Sequence, residues 1–355
     1  MSNVGARRHF TACVCLAAIL MGLTLAAGCH TISDGNKDSG APISREAFKL
    51  NTIIDITIYD SKDESILDGA MKICDTYEAI CSRTLESSEL YKLNHGQLPA
   101  AGEERNSFTV SDELAEILDY GLYYCRLSGG AFDITVEPVT SLWDFTSDNP
   151  KVPDKQVIGK AVAEVGYTGM TLDGNTVTFA DTSMGIDLGA IAKGYIADRI
   201  KDYLIGKGVR SAIINLGGNV LTVGVKPDGK PFRVGVQKPF ADRNEVAALM
   251  EISDLSVVSS GIYERSFKQD GILYHHILNP STGYPYDNGL ISVTIISEES
   301  VDGDGLSTTC FALGLEKGME LINSLEDTYA VFITEDYSLH YSEGFKEHIA
   351  VEETE

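Results

Sequence analysis

The chain has 355 residues and a formal net charge of −24, from 52 acidic side chains against 28 basic ones. A surface this acidic repels nucleic acid and anionic lipid headgroups, so neither is an expected ligand. It also repels a diphosphate, so a site for one requires a bound cation or oriented backbone amides. The length suggests two lobes or one large domain, with an ample core in either case.

The first 28 residues have the pattern of an export signal. Two arginines precede an apolar run that ends in small residues, and this run is too short for a bilayer span. The segment Leu25–Cys29 resembles a bacterial lipobox, so we expect a lipid anchor on Cys29; a secreted protein with a free Cys29 is the alternative. Residues 29–44 are then a flexible tether and 45–350 the folded domain of an exported lipoprotein on the extracytoplasmic side of the cell membrane.

Helices and strands are both predicted along the chain. A β-branched run at 50–59 indicates a strand, and Ser61 with Glu64 forms a capping box for a first helix. A second helix is expected from the N-cap Ser111 to the stop at Gly129, and a third near 190–205. Further strands are predicted at 211–216, 220–225, 232–236, 247–252 and 290–297. This order favours an α+β fold with mixed sheets over a regular βαβ repeat.

Two segments in the C-terminal third carry residue types suited to phosphoryl transfer. Asp304 and Thr308 lie one turn apart if a helix begins there, so that both oxygens face one cation; an Asp N-cap is the alternative. His276 adjoins the turn at 279–283, and loops commonly present catalytic side chains, although a hydrogen-bonded core histidine is the alternative. Transfer to a hydroxyl needs both a cation on the phosphate and a base for the proton.

A third segment, residues 185–195, places Asp187 and small residues before the third predicted helix. Free amides at such a position suit an anion. The segment matches neither the dinucleotide-binding fingerprint nor the phosphate-binding loop, so it does not indicate a dinucleotide fold. A structural cap for Asp187 and a solvated position for Lys193 remain alternatives.

Taken in order, these segments resemble the ApbE family of FAD:protein FMN transferases. The matching motifs are Ser88–Asn94, Gly130–Val136 with Trp143, Asp187–Tyr195, Leu216–Asn219, Ser260–Arg265, His276–Pro285 and Asp304–Thr308. The sequence departs from the family pattern at Leu50–Thr52, Thr84, Asn279 and Gly305. The departures at Leu50 and Thr84 fall in the wall expected around the isoalloxazine ring.

The resemblance implies an α+β fold with mixed, largely antiparallel sheets and helix pairs, in a two-lobed single chain related to the T-fold. It also implies Mg²⁺-dependent transfer of FMN from FAD to a threonine or serine hydroxyl of an exported or membrane redox protein, with release of AMP. His276 is the implied base. The implied metal ligands are Ala190, Asp304, Ser307 and Thr308. The implied flavin-nucleotide contacts are Leu50, Thr84, Ala131, Phe132, Asp133, Asp187, Lys193 and Leu278. An Mg²⁺-dependent FAD diphosphatase and a non-catalytic FAD-binding lipoprotein are the alternatives.

Overall fold

An eight-stranded antiparallel sheet is the largest sheet in the part of the chain that the computed structural model describes, residues 41–102, 105–242 and 245–354. Its strand order is β1-β2-β6-β7-β10-β13-β14-β15. These strands are β1 (Ile43–Lys49), β2 (Thr52–Ile58), β6 (Ser211–Leu216), β7 (Asn219–Gly224), β10 (Ser256–Gly261), β13 (Leu290–Ser297), β14 (Tyr329–Thr334) and β15 (Leu339–Tyr341).

Three smaller antiparallel sheets complete the strand pairing within the described ranges. They are β16-β9-β8, from β8 (Phe232–Gln237), β9 (Val246–Ile252) and β16 (Ala350–Glu353); β3-β5-β4, from β3 (Ser107–Thr109), β4 (Met170–Asp173) and β5 (Thr176–Phe179); and β11 (Ser266–Gln269) with β12 (Ile272–His275). The helices are α1 (Glu64–Cys81), α2 (Glu89–Asn94), α3 (Asp112–Leu127), α4 (Glu137–Thr140), α5 (Lys155–Val162), α6 (Ala192–Gly206), α7 (Ser300–Leu313), α8 (Leu315–Asn323) and α9 (Phe345–His348). The predicted α+β class with largely antiparallel sheets is therefore confirmed.

Two predicted element starts are wrong. Strand β1 begins at Ile43, inside the segment predicted as a tether, because residues 43–49 alternate between half-buried and exposed positions and pair with β2 along their whole length. Helix α1 is capped by Asp63 and not by Ser61: Asp63 Oδ1 accepts the Ser65 N–H at 3.0 Å. A carboxylate directly before the first helical residue satisfies a free amide of the first turn, so the helix starts there.

The interior of the unit that begins at Ser39 contains two large hydrophobic clusters and one small one. One large cluster joins β2 and β6 to the apolar faces of α1 and α6. The other joins α3, α7, β13 and β9, and all eight residues of β13 are buried. Strand β13 is therefore covered on both faces, its three hydroxyl residues included.

Helices α6 and α7 cap each other. Asp198 on α6 accepts the N–H groups of Ser300 and Val301, the first two residues of α7, at 2.8 Å each. Asp304 on α7 accepts the N–H of Gly194 in the first turn of α6 at 2.7 Å. A Cβ at Gly194 would lie 2.2 Å from the Ser300 carbonyl oxygen, so only glycine permits this approach. Each helix thus supplies the acceptor that the first turn of the other lacks.

The export signal and the proposed anchor at Cys29 lie outside the described residues. Among the residues that are described, no helix is both long enough and apolar enough to span a bilayer.

Candidate functional site

Several predicted site residues meet at one end of the eight-stranded sheet. The β1–β2 turn at Leu50–Asn51 and the β6–β7 turn at Gly217–Gly218 lie side by side there, since a Cβ at Gly217 would collide with Thr52. The last residues of β10 extend past the start of β7 at the same end. The turn residues Leu50 and Asn51 both have positive φ, a conformation that is costly for leucine.

Asp304, Ser307 and Thr308 lie within little more than one turn of α7, at its contact with α6 and β10. The Asp304 side chain is 4 % exposed. Its Oδ2 accepts the Gly194 N–H and its Oδ1 lies 3.6 Å from the Lys193 ammonium nitrogen. Helix α7 starts at Ser300, so Asp304 is not the N-cap and its contacts are with another helix. This position excludes Asp304 as the N-cap of α7, although its carboxylate caps the first turn of α6.

The hydroxyls of Ser307 and Thr308 meet a third hydroxyl from β10. The Ser260 Oγ lies 2.9 Å from Ser307 Oγ and 3.1 Å from Thr308 Oγ1. Ser307 is fully buried and its hydroxyl also donates to the Asp304 carbonyl at 3.0 Å. Thr308 is only half-buried, so its oxygen is the more accessible of the two for a ligand.

The oxygen donors here fit a hard divalent cation that shares its coordination with phosphate. Within the described ranges no three His, Cys, Asp or Glu side chains are grouped as metal ligands. Mg²⁺, however, is commonly held by one or two carboxylates together with substrate phosphates and waters, and not by an all-protein cage. One nearly buried carboxylate, two hydroxyls and the carbonyl of Ala190 before α6 are compatible with that mode.

The two adjacent histidines have different surroundings. His275 is buried; its Nε2 donates to the Tyr286 carbonyl at 2.9 Å and its Nδ1 accepts the Ile277 N–H at 3.3 Å. The Nδ1 of His276 is also buried but has no hydrogen-bond partner in the described structure. Burial, helped by the charges of Arg265 and Lys193, lowers the pKa of His276 to about 3. His276 is therefore neutral at physiological pH, and its Nδ1 is a buried nitrogen with no protein partner among the described residues.

Arg265 lies beside His276, whose N–H donates to the Arg265 carbonyl at 3.1 Å. The Arg265 guanidinium is exposed and contacts the Asn51 carbonyl at 3.4 Å, at the β1–β2 turn. Among the described residues it forms no ion pair. The charges of the guanidinium and of the Lys193 ammonium both act on the His276 imidazole.

The predicted flavin contacts at 131–133 form a tight buried loop. Asp133 Oδ1 accepts the N–H and hydroxyl of Thr135, and Oδ2 accepts the Tyr167 N–H at 2.8 Å. Phe132 is buried, and the Ala131 carbonyl accepts the Tyr286 hydroxyl at 2.9 Å. Burial raises the pKa of Asp133 against these donors. The carboxylate of Asp133 therefore orders the loop, and only the outer surface of the loop is available to a nucleotide.

Asp187 joins this loop to the segment before α6. Its N–H donates to the Ile134 carbonyl at 2.8 Å. Its Oδ2 accepts the Thr140 hydroxyl at 2.8 Å and lies 3.0 Å from Arg83 Nε. The side chain is not the cap of α6, because Ile191 occupies the N-cap position. Thr84, the neighbour of Arg83, is exposed.

The remaining two predicted contacts lie apart from the cation site. Leu278 packs in the small cluster with Val139, Trp143 and Ile158. Leu50 donates its N–H to Glu78 Oε1 at 3.0 Å and lies in the turn that Arg265 contacts. The structure thus groups Lys193, Asp304, Ser307 and Thr308, with His276 nearby, and does not bring Leu278 into direct contact with them.

The departure at Gly305 has a structural reason. A Cβ at this position would lie 2.3 Å from the ring of Tyr124, whose hydroxyl donates to Asp302 at 2.6 Å. The tyrosine on α3 therefore occupies the space that an alanine methyl group would need, and α7 packs directly against the ring.

Three residues near the site are not among the site residues predicted from the sequence. Ser260 is the last but one residue of β10 and contacts both hydroxyls on α7. Asp198 accepts two N–H groups of α7, and Arg83 pairs with Asp187, although both lie far from these partners in the chain. Ser260 belongs to the family-like motif Ser260–Arg265, whereas no local sequence signal marks the other two.

Comparisons with a family model and with curated proteins point to the same family. A family model described as the ApbE family matches residues 50–333. An FAD:protein FMN transferase of Klebsiella pneumoniae (strain 342) is 38% identical over 295 residues, which cover 82% of this chain and 89% of the relative. One of Treponema pallidum (strain Nichols) is 30% identical over 344 residues, covering 91% and 93%.

Solved structures agree with these relatives. The flavin transferase ApbE from Vibrio cholerae aligns with a TM-score of 0.76 at 26% identity, over 86% of this chain and 99% of that one. The ApbE protein from Thermotoga maritima aligns with a TM-score of 0.77 at 30% identity, over the same shares. Both alignments support the α+β fold described above.

Proposed function

The chain belongs to the ApbE family, and we propose that it transfers FMN from FAD to a threonine or serine hydroxyl of a second protein and releases AMP. The expected enzyme class, a transferase, agrees with the names of its relatives. Two features at one site support the finer proposal. Asp304 is nearly buried one turn before Thr308, and the neutral His276 has an Nδ1 without a protein partner.

His276 is the proposed general base. The acceptor hydroxyl gives its proton to the His276 imidazole while its oxygen forms a bond to the FMN phosphorus. The bond from that phosphorus to the bridging oxygen breaks, and AMP leaves with the bonding electrons. A positioned base contributes about 10²–10⁴ in rate.

Burial is the main cause of the lowered pKa of His276, and the charges of Arg265 and Lys193 add to it. A diphosphate bound near these two cations would offset their contribution and so raise the pKa of His276 in part.

Asp304, Thr308 and the Ala190 carbonyl, with Ser307 as a further oxygen, are the residues proposed to hold Mg²⁺. A cation bound there supplies several kcal/mol of charge stabilisation to the diphosphate and the leaving AMP. Lys193 lies close enough to Asp304 to balance its charge. Asp187 and the loop at 131–133 are proposed to border the nucleotide.

We also propose that the protein acts outside the cytoplasm, anchored through Cys29, on an exported or membrane redox protein. The apolar segment that ends before Cys29 supports this proposal. Incorporation of a labelled fatty acid into the full chain, and its loss in Cys29→Ser, is the expected result; equal labelling of both would contradict it.

The test is flavinylation of a co-expressed exported redox subunit, measured by mass spectrometry, with AMP release measured on the purified full chain, FAD and Mg²⁺. Wild type should form the FMN ester, whereas Asp304→Ala and His276→Asn should not, although His276→Asn should still bind FAD. Asp302→Asn is a control on the same helix, and it should remain active. Release of AMP with no ester would indicate a diphosphatase, and FAD binding without AMP a carrier; either result would refute transfer.

A further inference from the structure

Ser260 is the last but one residue of strand β10, and its hydroxyl contacts two side chains of α7. Its Oγ lies 2.9 Å from Ser307 Oγ and 3.1 Å from Thr308 Oγ1. The preceding residue, Ser259, points to the other face of the strand, where its Oγ lies 2.7 Å from Thr294 Oγ1. Only the second of these adjacent serines therefore reaches the proposed cation site.

The direction of the hydrogen bonds in this group follows from proton counting. A hydroxyl has one proton to donate and two lone pairs. Ser307 donates its proton to the Asp304 carbonyl at 3.0 Å, so it can only accept from Ser260. Ser260 has then used its own proton and accepts the proton of Thr308. The order is Thr308 to Ser260 to Ser307 to the Asp304 carbonyl.

This order of donation determines where the lone pairs of the Thr308 oxygen point. A threonine inside a helix commonly turns its proton to the carbonyl four residues earlier, which here belongs to Asp304. Ser307 already occupies that carbonyl. Because Thr308 donates its proton to Ser260, the lone pairs of Thr308 Oγ1 remain available to a ligand other than Ser260 and Ser307.

We propose that Ser260 is a positioning residue, which orients the Thr308 hydroxyl so that its lone pairs face a divalent cation held with Asp304. This inference rests on the proposed function for the cation's role, but it concerns cation affinity and not the transfer step. Groups that orient metal ligands typically change metal affinity by 10- to 100-fold when removed. Loss of the Ser260 hydroxyl should leave Thr308 free to rotate towards other acceptors.

The experiment is calorimetric titration of the full-length protein with Mg²⁺ alone, so that the readout does not depend on flavin transfer. Ser260→Ala should raise the Mg²⁺ Kd by about 10- to 100-fold. Ser259→Ala removes the same atom from the preceding residue of the strand and should leave the Kd within about twofold, because the Ser259 hydroxyl contacts Thr294 on the other face of the strand. Ser260→Thr retains the hydroxyl and should restore most of the affinity.

A double-mutant cycle distinguishes an effect of Ser260 on Thr308 from an unspecific loss of Mg²⁺ affinity. If Ser260 acts through Thr308, then Ser260→Ala should add little to the loss already caused by Thr308→Ala. An Mg²⁺ Kd unchanged in Ser260→Ala, an equal loss in Ser259→Ala, or additive losses in the double mutant would overturn the proposal, as would a wild-type protein that binds no Mg²⁺.

The two proposals can fail separately. A wild type that forms the FMN ester while Ser260→Ala binds Mg²⁺ normally would remove this inference alone. A wild type that forms no ester, but binds Mg²⁺ more tightly than Ser260→Ala does, would remove the transfer proposal and leave this one standing.

Discussion

Removal of the Asp198 carboxylate tests whether α6 holds the start of α7 in place. The side chain is buried and accepts two N–H groups of α7 at 2.8 Å, and α7 has no N-cap side chain of its own. Loss of a cap costs about 0.5–2 kcal/mol, and each buried N–H left without an acceptor about 1–3 kcal/mol. Burial also raises the pKa of Asp198 to about 7, so desolvation offsets part of the gain. We expect Asp198→Ala to lower the free energy of unfolding by about 2–4 kcal/mol.

Denaturant unfolding at pH 8, where Asp198 is ionised, measures this loss, and hydrogen exchange of the first turn of α7 locates it. Asp202→Ala is the matched control, because Asp202 is on the same helix but exposed and paired with Arg199 at 3.2 Å. Such a surface pair contributes about 0–1 kcal/mol. The role of Asp198 is refuted if Asp198→Ala loses no more stability than Asp202→Ala and the first turn of α7 exchanges no faster. The Asp198 cap would then not stabilise the start of α7.

Two further predictions concern packing and pH. Gly305→Ala should cost about 1–3 kcal/mol, because its Cβ would overlap the buried Tyr124 ring and an overpacked core is strained; an unchanged unfolding midpoint would contradict this. Burial lowers the pKa of His275 to about 4 and that of His276 to about 3, so between these values and about 6.5 only the unfolded chain binds their protons, and stability should fall as pH decreases through this range. Replacing both histidines with Gln should remove most of that pH dependence of the unfolding free energy, and a slope that persists would show that other groups cause it.

Elements with a strong local signal were predicted with accurate bounds. The N-cap of α3 is Ser111 and its stop is followed by Gly129 with positive φ, as predicted. Strands β6 and β13 match the predicted bounds to the residue. These segments combine a periodic apolar pattern with an unambiguous start or stop residue, so local and tertiary preferences agree.

The errors arise where a distant part of the chain decides the local structure. Residues 256–261 are not among the predicted strands, yet they form β10 because β7 and β13 pair with them on both sides. The sequence suggests a helix start near Asp304, whereas α7 begins at Ser300. Its cap, Asp198, lies about a hundred residues earlier in the sequence. A cap supplied by another helix gives no signal at fixed spacing, so a reading of local sequence cannot find it.

The charges around the site explain how an acidic chain can accept a diphosphate. Two carboxylates at the proposed site have a basic partner, Asp304 with Lys193 and Asp187 with Arg83. Arg265 adds a positive charge that no described carboxylate balances. The net charge of −24 is therefore carried mainly by other parts of the surface.

A divalent cation at Asp304 would compete with Lys193 for the same carboxylate, and the displaced ammonium would then be available to the phosphate oxygens. Cation and nucleotide should consequently bind cooperatively, since each offsets a charge that opposes the other.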